Sequence, residues 1–275
     1  MKMLWVLALK EFHDGLRNRW IAAAIIVLGV LALALSLLGS APTGSVRASA
    51  LDVSVISLAS LSVYLVPLIA LMLSFDALVG EFERGTMMLL LTYPVTRWQV
   101  IMGKFFGHIL ILFVAIFVGY GGAIIMMMVL TGEGMAGWQA YLVMMASSWM
   151  LGAIFIALGY LVSVLVKERA TAAGAAIGLW LVFVVLYDLL LFGVLLIDKD
   201  QVIGQQLFSV LMLVSPTDTY RILNLSLFEG VSHSAGIAGV ASRAGLSGAL
   251  LFSVMLLWLM LPLMATLMVF KRREL

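Results

Sequence analysis

The run "FFGHILILFVAIFVGYGGAIIMMMVL", Phe105 to Leu130, decides what kind of chain this is. It holds one histidine and no charged residue over 26 positions, and a helix needs only about twenty apolar residues to cross ~30 Å of hydrocarbon. Lipid offers no partner to backbone N–H and C=O groups, so a spanning segment must satisfy them itself, as a helix does. Comparable runs extend from about Trp20 to Leu38, Ile56 to Phe75, Tyr141 to Val166, Ala170 to Ile197 and Leu246 to Phe270. The ten-residue alternation that a β-barrel requires is missing. The expectation is an all-α polytopic membrane protein, with six transmembrane helices in one domain over residues 1–275.

Composition agrees. Hydrophobic residues make up 64% of the chain and charged ones 11%, against roughly a quarter charged in soluble domains. The absence of cysteine excludes a disulfide framework and thiolate metal sites. A net charge of +2, with no basic run beyond Lys271 to Arg273, argues against a nucleic-acid partner. Gly39-Ser40-Ala41 after the first run gives it some likeness to a secretory signal. Its 19 apolar residues and the preceding Glu11 and Asp14 favour a retained span instead.

Orientation follows from the basic residues. With six spans, the termini share a side with the loops around Glu81 and Lys167. That side holds twelve of the sixteen Lys and Arg residues; the other holds Arg47, Lys199, Arg221 and Arg243. The positive-inside rule then puts both termini in the cytoplasm and the segment 198–245 outside. Within residues 1–19, Trp5, Leu9, Phe12 and Leu16 recur at helical spacing, with Lys10, Asp14 and Arg17 on another face. This reads as an amphipathic helix in the interface, its basic residues toward anionic headgroups. Two roles stand open for it, a membrane anchor and a support for another subunit.

The second unusual segment is 76–104, between the second and third runs. Asp76, Glu81, Glu83 and Arg84 bring charge, Met87 to Leu91 are apolar, and Tyr93-Pro94 ends the helical pattern. Thr96 with Gln99 makes a capping box, so the next helix starts near Arg97, with Lys104 still at headgroup level. A compact helical elbow with charged side chains can dock a soluble protein. It can equally be a solvated loop that keeps helix ends out of lipid.

Glu81-Phe82-Glu83-Arg84-Gly85-Thr86, then leucines, Pro94, Arg97 and Gly103-Lys104, resembles the E-x-E-x-G-T, leucine, P-x-x-R, G-K pattern of ABC-2 type transporter permeases. Lys10-Glu11 followed by Arg17 and Arg19, the six runs and the long segment before the last run extend the similarity over the whole chain. Within that family the chain most resembles the permeases of transporters that mature the copper sites of nitrous oxide reductase. The resemblance implies a type-V exporter-like bundle in the bacterial inner membrane. It implies that the elbow is a coupling helix, contacting separate ATPase subunits through Glu81, Glu83, Arg84, Gly85 and Thr86. Reversing the charges of Glu81 and Glu83 is expected to abolish stimulated ATPase activity with the fold intact.

The resemblance further implies a homodimer, a periplasmic copper-handling partner docked on segment 198–245, and export or transmission of motion as the task. An ABC-2 permease exporting a lipid or a hydrophobic drug is the alternative. No G-x-x-x-x-G-K-[ST] loop exists, since Trp98 and Phe105 occupy the decisive positions around Gly103-Lys104. No cofactor is expected on this chain; ATP and Mg would belong to the partner subunit.

Other candidates keep two readings each. Asp188 is either an intramembrane polar site or, with the fifth span ending near Leu186, a carboxylate in the outer headgroups or paired with Arg221 or Lys199. His108 is a structural hydrogen-bonding partner or a ligand. Met126, Met127, Met128, Met135, Met144, Met145 and Met150 are thioethers suited to Cu(I), or flexible filler between helices; successive helical residues point ~100° apart and cannot share one ion. No metal site is assigned. Gly174 and Gly178 form a GxxxG that serves either a dimer interface or packing within one chain. No constellation of side chains suggests catalysis.

Overall fold

The computed structural model describes residues 2–39, 50–131, 138–197, 205–225 and 246–273. Among these every regular element is helical. Helix α1 (Lys2–Leu16) leads into α2 (Arg19–Gly39), and α3 (Ala50–Ser74) is followed by two short elbow helices, α4 (Val79–Glu83) and α5 (Thr86–Thr92). Then come α6 (Arg97–Thr131), α7 (Trp138–Leu165), α8 (Arg169–Leu181), a π turn (Val182–Leu186) and α9 (Tyr187–Ile197). Two short helices, α10 (Gln205–Leu213) and α11 (Pro216–Leu225), precede the last long one, α12 (Gly248–Arg272).

Five helical stretches are long and apolar enough to cross a membrane, and α1 with α2, bent by 70°, raises the number to six when counted as one span. The first run of the sequence, Trp20 to Leu38, lies within α2. α7 is the hub: 78% of its most apolar window is buried, against 11% for the α8–α9 stretch, which lies on the outside of the bundle. α3 and α12 pack on α7, while α6 carries α1 and α2 on its other side.

The union of α1 with α6 rests on two glycines. A Cβ on Gly103 would stand 2.7 Å from Leu7 Cβ, and one on Gly107 would stand 2.6 Å from Glu11 Cβ. Both separations are below any real contact, so only glycine lets the helices approach this closely. Trp5, Leu9 and Leu16 of the apolar stripe face outward, while Leu7, Ala8 and Glu11 face α6. Lys10 is paired with Asp14 on its own helix, at 3.5 Å, and with Glu11 at 3.6 Å.

At the end opposite the elbow, short polar side chains join α11 to the bundle. Tyr220 and Ser148 hydroxyls lie 2.8 Å apart, Ser148 donates to Ser62 at 3.2 Å, and the Ser62 and Tyr120 hydroxyls lie 2.6 Å apart. Asn224 exchanges hydrogen bonds with Ser147. Satisfied hydroxyls of this kind can be buried in an apolar bundle and fix helix register there. Residues 198–204 and 226–245 of the segment 198–245, with Lys199 and Arg243, lie outside the described residues, as do Arg47 and Met135.

Candidate functional site

The elbow is assembled from local rules first. After Ser74 the chain leaves α3 through a turn, and the N–H groups of Leu78 and Val79 both donate to the Ser163 hydroxyl of α7, each at 3.0 Å. One side chain thereby satisfies two buried donors that the helix break would otherwise orphan. Gly85, at φ 69°, turns α4 into α5, in a left-handed conformation that costs an L-residue about 1–2 kcal/mol. Tyr93 is extended ahead of Pro94. The capping box then starts α6 as expected: Thr96 N–H donates to Gln99 Oε1 at 2.9 Å, and Gln99 N–H to Thr96 Oγ1 at 3.3 Å.

Beneath the elbow lies an ion cluster. Lys104 Nζ sits 2.6 Å from Glu11 Oε1 and 3.1 Å from Glu81 Oε1, with its side chain 4% exposed. Thr86 donates its hydroxyl to the other Glu81 oxygen. Glu11 also faces His108 Nε2 at 4.0 Å, while His108 Nδ1 and the Tyr160 hydroxyl are 2.8 Å apart. Burial opposes ionisation of the Glu11 carboxyl, but the charge and hydrogen bond of Lys104, helped by His108 and Lys10, more than offset it. Its pKa is held below the ordinary glutamate value. The cluster joins α1, the elbow and α6 by charge.

Two further contacts fix the elbow from the sides. Glu83 accepts from the backbone N–H of Arg169 at 2.6 Å, occupying the amino end of α8, and Arg169 pairs with Asp76 at 2.5 Å. Phe82 packs edge-on against Phe270 and lies 4.2 Å below the Arg273 guanidinium, which donates to the Val164 and Val166 carbonyls at the end of α7. Arg97 donates to the carbonyls of Phe270, Lys271 and Arg273. The elbow is thus tied to α1, α6, α7, α8 and α12.

The five residues named from the sequence therefore divide. Glu81 and Glu83 hold the elbow to the bundle and Thr86 braces Glu81 from within the elbow, whereas Arg84, with its side chain 52% exposed, and Gly85 are open to solvent. Reversal at Glu81 bears on packing as well as docking. The outer surface is largely apolar: Met88, Leu89, Tyr93 and Trp98 are 46–65% exposed. Lys104 is not among the headgroups as expected but buried in the cluster, because α1 folds over it and brings Glu11. The Gly103-x-x-x-Gly107 spacing around Lys104 was the sequence signal for that cover. Nothing in the sequence marked Ser163.

Asp188 takes the paired reading: Arg221 lies 2.6 Å from it and 3.1 Å from Asp218. His108 is likewise hydrogen-bonded, to Tyr160. Met127 accepts from Ser54 at 3.2 Å, and Met144, Met145 and Met150 are buried core. Among the described residues no group of three or more His, Asp or Glu is placed to hold a metal ion. A Cβ at Gly174 or Gly178 would meet nothing within 4 Å, so neither glycine is used for a close approach among the described residues of the chain.

Comparison with known proteins gives two concordant results. Residues 5–275 match the model of the ABC-2 family transporter protein. The curated "Probable ABC transporter permease protein NosY" of Stutzerimonas stutzeri is 41% identical over 276 residues, 99% of each chain. The protein of the same description from Pseudomonas aeruginosa is 41% identical over 260 residues, 94% of each chain.

Proposed function

The chain belongs to the ABC-2 transporter family, and on that premise we propose that it is the membrane-spanning permease subunit through which ATP hydrolysis on separate subunits does work across the bacterial inner membrane. The observation that carries this reading is the build of the elbow. Its inner side is joined to α6, α7 and α8 by hydrogen bonds and charge, to α12 by ring packing and to α1 through Lys104, while Arg84, Met88, Leu89 and Tyr93 are exposed to a partner. A surface patch can transmit a push only if it is rigidly joined to what must move, and packed, hydrogen-bonded elements shift as bodies. The ATPase subunit would seat on α5 and on Arg84 and Gly85; Glu81, Glu83 and Thr86 would couple that seat to the bundle. ATP and Mg are assigned to the ATPase subunit.

Six spans with cytoplasmic termini accord with the excess of basic residues at the elbow end. A homodimer built on Gly174 and Gly178 is supported by the largely unburied α8–α9 surface. Resemblance to the copper-maturation permeases, together with the identity to NosY proteins, supports a role in maturing the copper sites of nitrous oxide reductase beside a periplasmic partner. Export of a lipid or hydrophobic drug is favoured by one observation, a 230 Å³ cavity between α2, α3 and α6 lined by apolar residues.

The test is reconstitution with the ATPase subunit. Leu89→Glu and Met88→Glu, on exposed sites that leave the ion cluster intact, are expected to abolish co-purification and stimulated ATP hydrolysis while the permease remains monodisperse. Wild-type association in both variants would remove the elbow as the contact. Cargo movement in vesicles then separates export from transmission.

A further inference from the structure

Behind the elbow lies a cleft of which the ATPase reading uses only Glu81 and Arg84. Its polar half, about 370 Å³, lies in the crook where α1 bends into α2, facing the elbow and the start of α6. Its lining carries four acidic and four basic side chains. The apolar cavity of 230 Å³ adjoins it, and the two share Ile21 and Leu73. Each wall changes character at the same level. Asp14 gives way to Ile21 and Ile25 along α1–α2, Asp76 to Met72 and Leu68 along α3, and Lys104 to Leu112 along α6.

A charged chamber opening into an apolar slot, in a chain whose long helices sit in lipid, has the amphipathic profile of one lipid molecule. We propose that this cleft holds a resident phospholipid with a zwitterionic, primary-amine headgroup of the phosphatidylethanolamine class. The balance of acidic and basic lining residues suits a head that carries both charges. Buried members of the set, Lys104, Glu11 and Glu81, are committed to one another. The rim is not: Lys10 and Asp14 side chains are 57% and 59% exposed. Exposed pairs such as Lys10–Asp14 are weak and easily exchanged. Lys10 would take the phosphate and Asp14 the ammonium, whose N–H donors a choline head lacks. An acyl chain would run between α2 and α3 against Ile25 and Leu68.

The proposal needs no ATPase and no cargo, so its failure and that of the transport reading are distinguishable. The full chain is purified from membranes containing phosphatidylethanolamine and phosphatidylglycerol, and retained lipid is quantified by extraction and native mass spectrometry. One phosphatidylethanolamine per chain is expected, enriched about fivefold or more over the membrane ratio. Ala24→Trp, which fills the apolar slot, is expected to lower retention about tenfold. Asp14→Asn, at an exposed site that cannot unfold the bundle, is expected to abolish the headgroup preference while lipid is still retained. Retention at the bulk membrane ratio, no retained lipid, or an Asp14→Asn variant with undiminished preference would overturn the assignment.

Discussion

Replacing Lys104 by methionine tests whether the buried ion cluster holds α1 and the elbow together. Methionine keeps most of the apolar stem and deletes the charge. Two carboxylates, 13% and 14% exposed, are then left facing one another without the cation that stood 2.6 Å from one and 3.1 Å from the other. Removing one partner of a buried pair costs about 3–5 kcal/mol. Lys10 at 3.6 Å from Glu11 and Arg84 at 4.0 Å from Glu81 supply partial compensation, which favours the lower end, about 3 kcal/mol. At ~2–4 °C per kcal/mol for chains of about this size, the midpoint of thermal unfolding should fall by ~6–12 °C. Fluorescence-detected size exclusion of the heated, detergent-solubilised protein reads this directly. Adding Glu11→Gln and Glu81→Gln to Lys104→Met removes the unpaired charges and should recover most of the loss. A midpoint within ~2 °C of wild type for the single variant, or no recovery in the triple, refutes the electrostatic account.

Gly107→Leu should push α1 off α6, since even a Cβ would stand 2.6 Å from Glu11 Cβ; overpacking of this kind costs about 1–3 kcal/mol, readable as early protease access to residues 2–16. Ser163→Ala leaves the Leu78 and Val79 N–H groups without their acceptor, at about 1–3 kcal/mol for a buried unsatisfied donor, and hydrogen exchange at those two amides should accelerate. Because the Glu11 pKa is lowered by folding, its contribution to stability is fully present above the ordinary glutamate value of 4.5 and is lost as pH falls through the lowered value. Thermal midpoints should therefore hold from neutral pH down to about 5 and drop below that, with a shallower drop in Glu11→Gln.

Membrane spans, their approximate ends and the helical elbow were legible in the sequence because each depends on a contiguous stretch. A long apolar run must become a helix in lipid wherever its neighbours lie, and the Thr96–Gln99 box closes over three residues. Family membership was legible for the same reason, from the motif around Glu81 and Gly85. The division of labour within that motif was not. Whether Glu81 faces a partner or the bundle depends on Lys104 and on Glu11, and Glu11 is 93 positions from Lys104 in the chain. That meeting occurs only because glycines 103 and 107 admit α1 against α6. Likewise Ser163 is one serine among many until the break after α3 presents it with two free N–H groups. Hydropathy, a one-dimensional quantity, determined what crosses the membrane; pairing of buried charges and donors, which requires distant segments to touch, was decided by the tertiary structure alone.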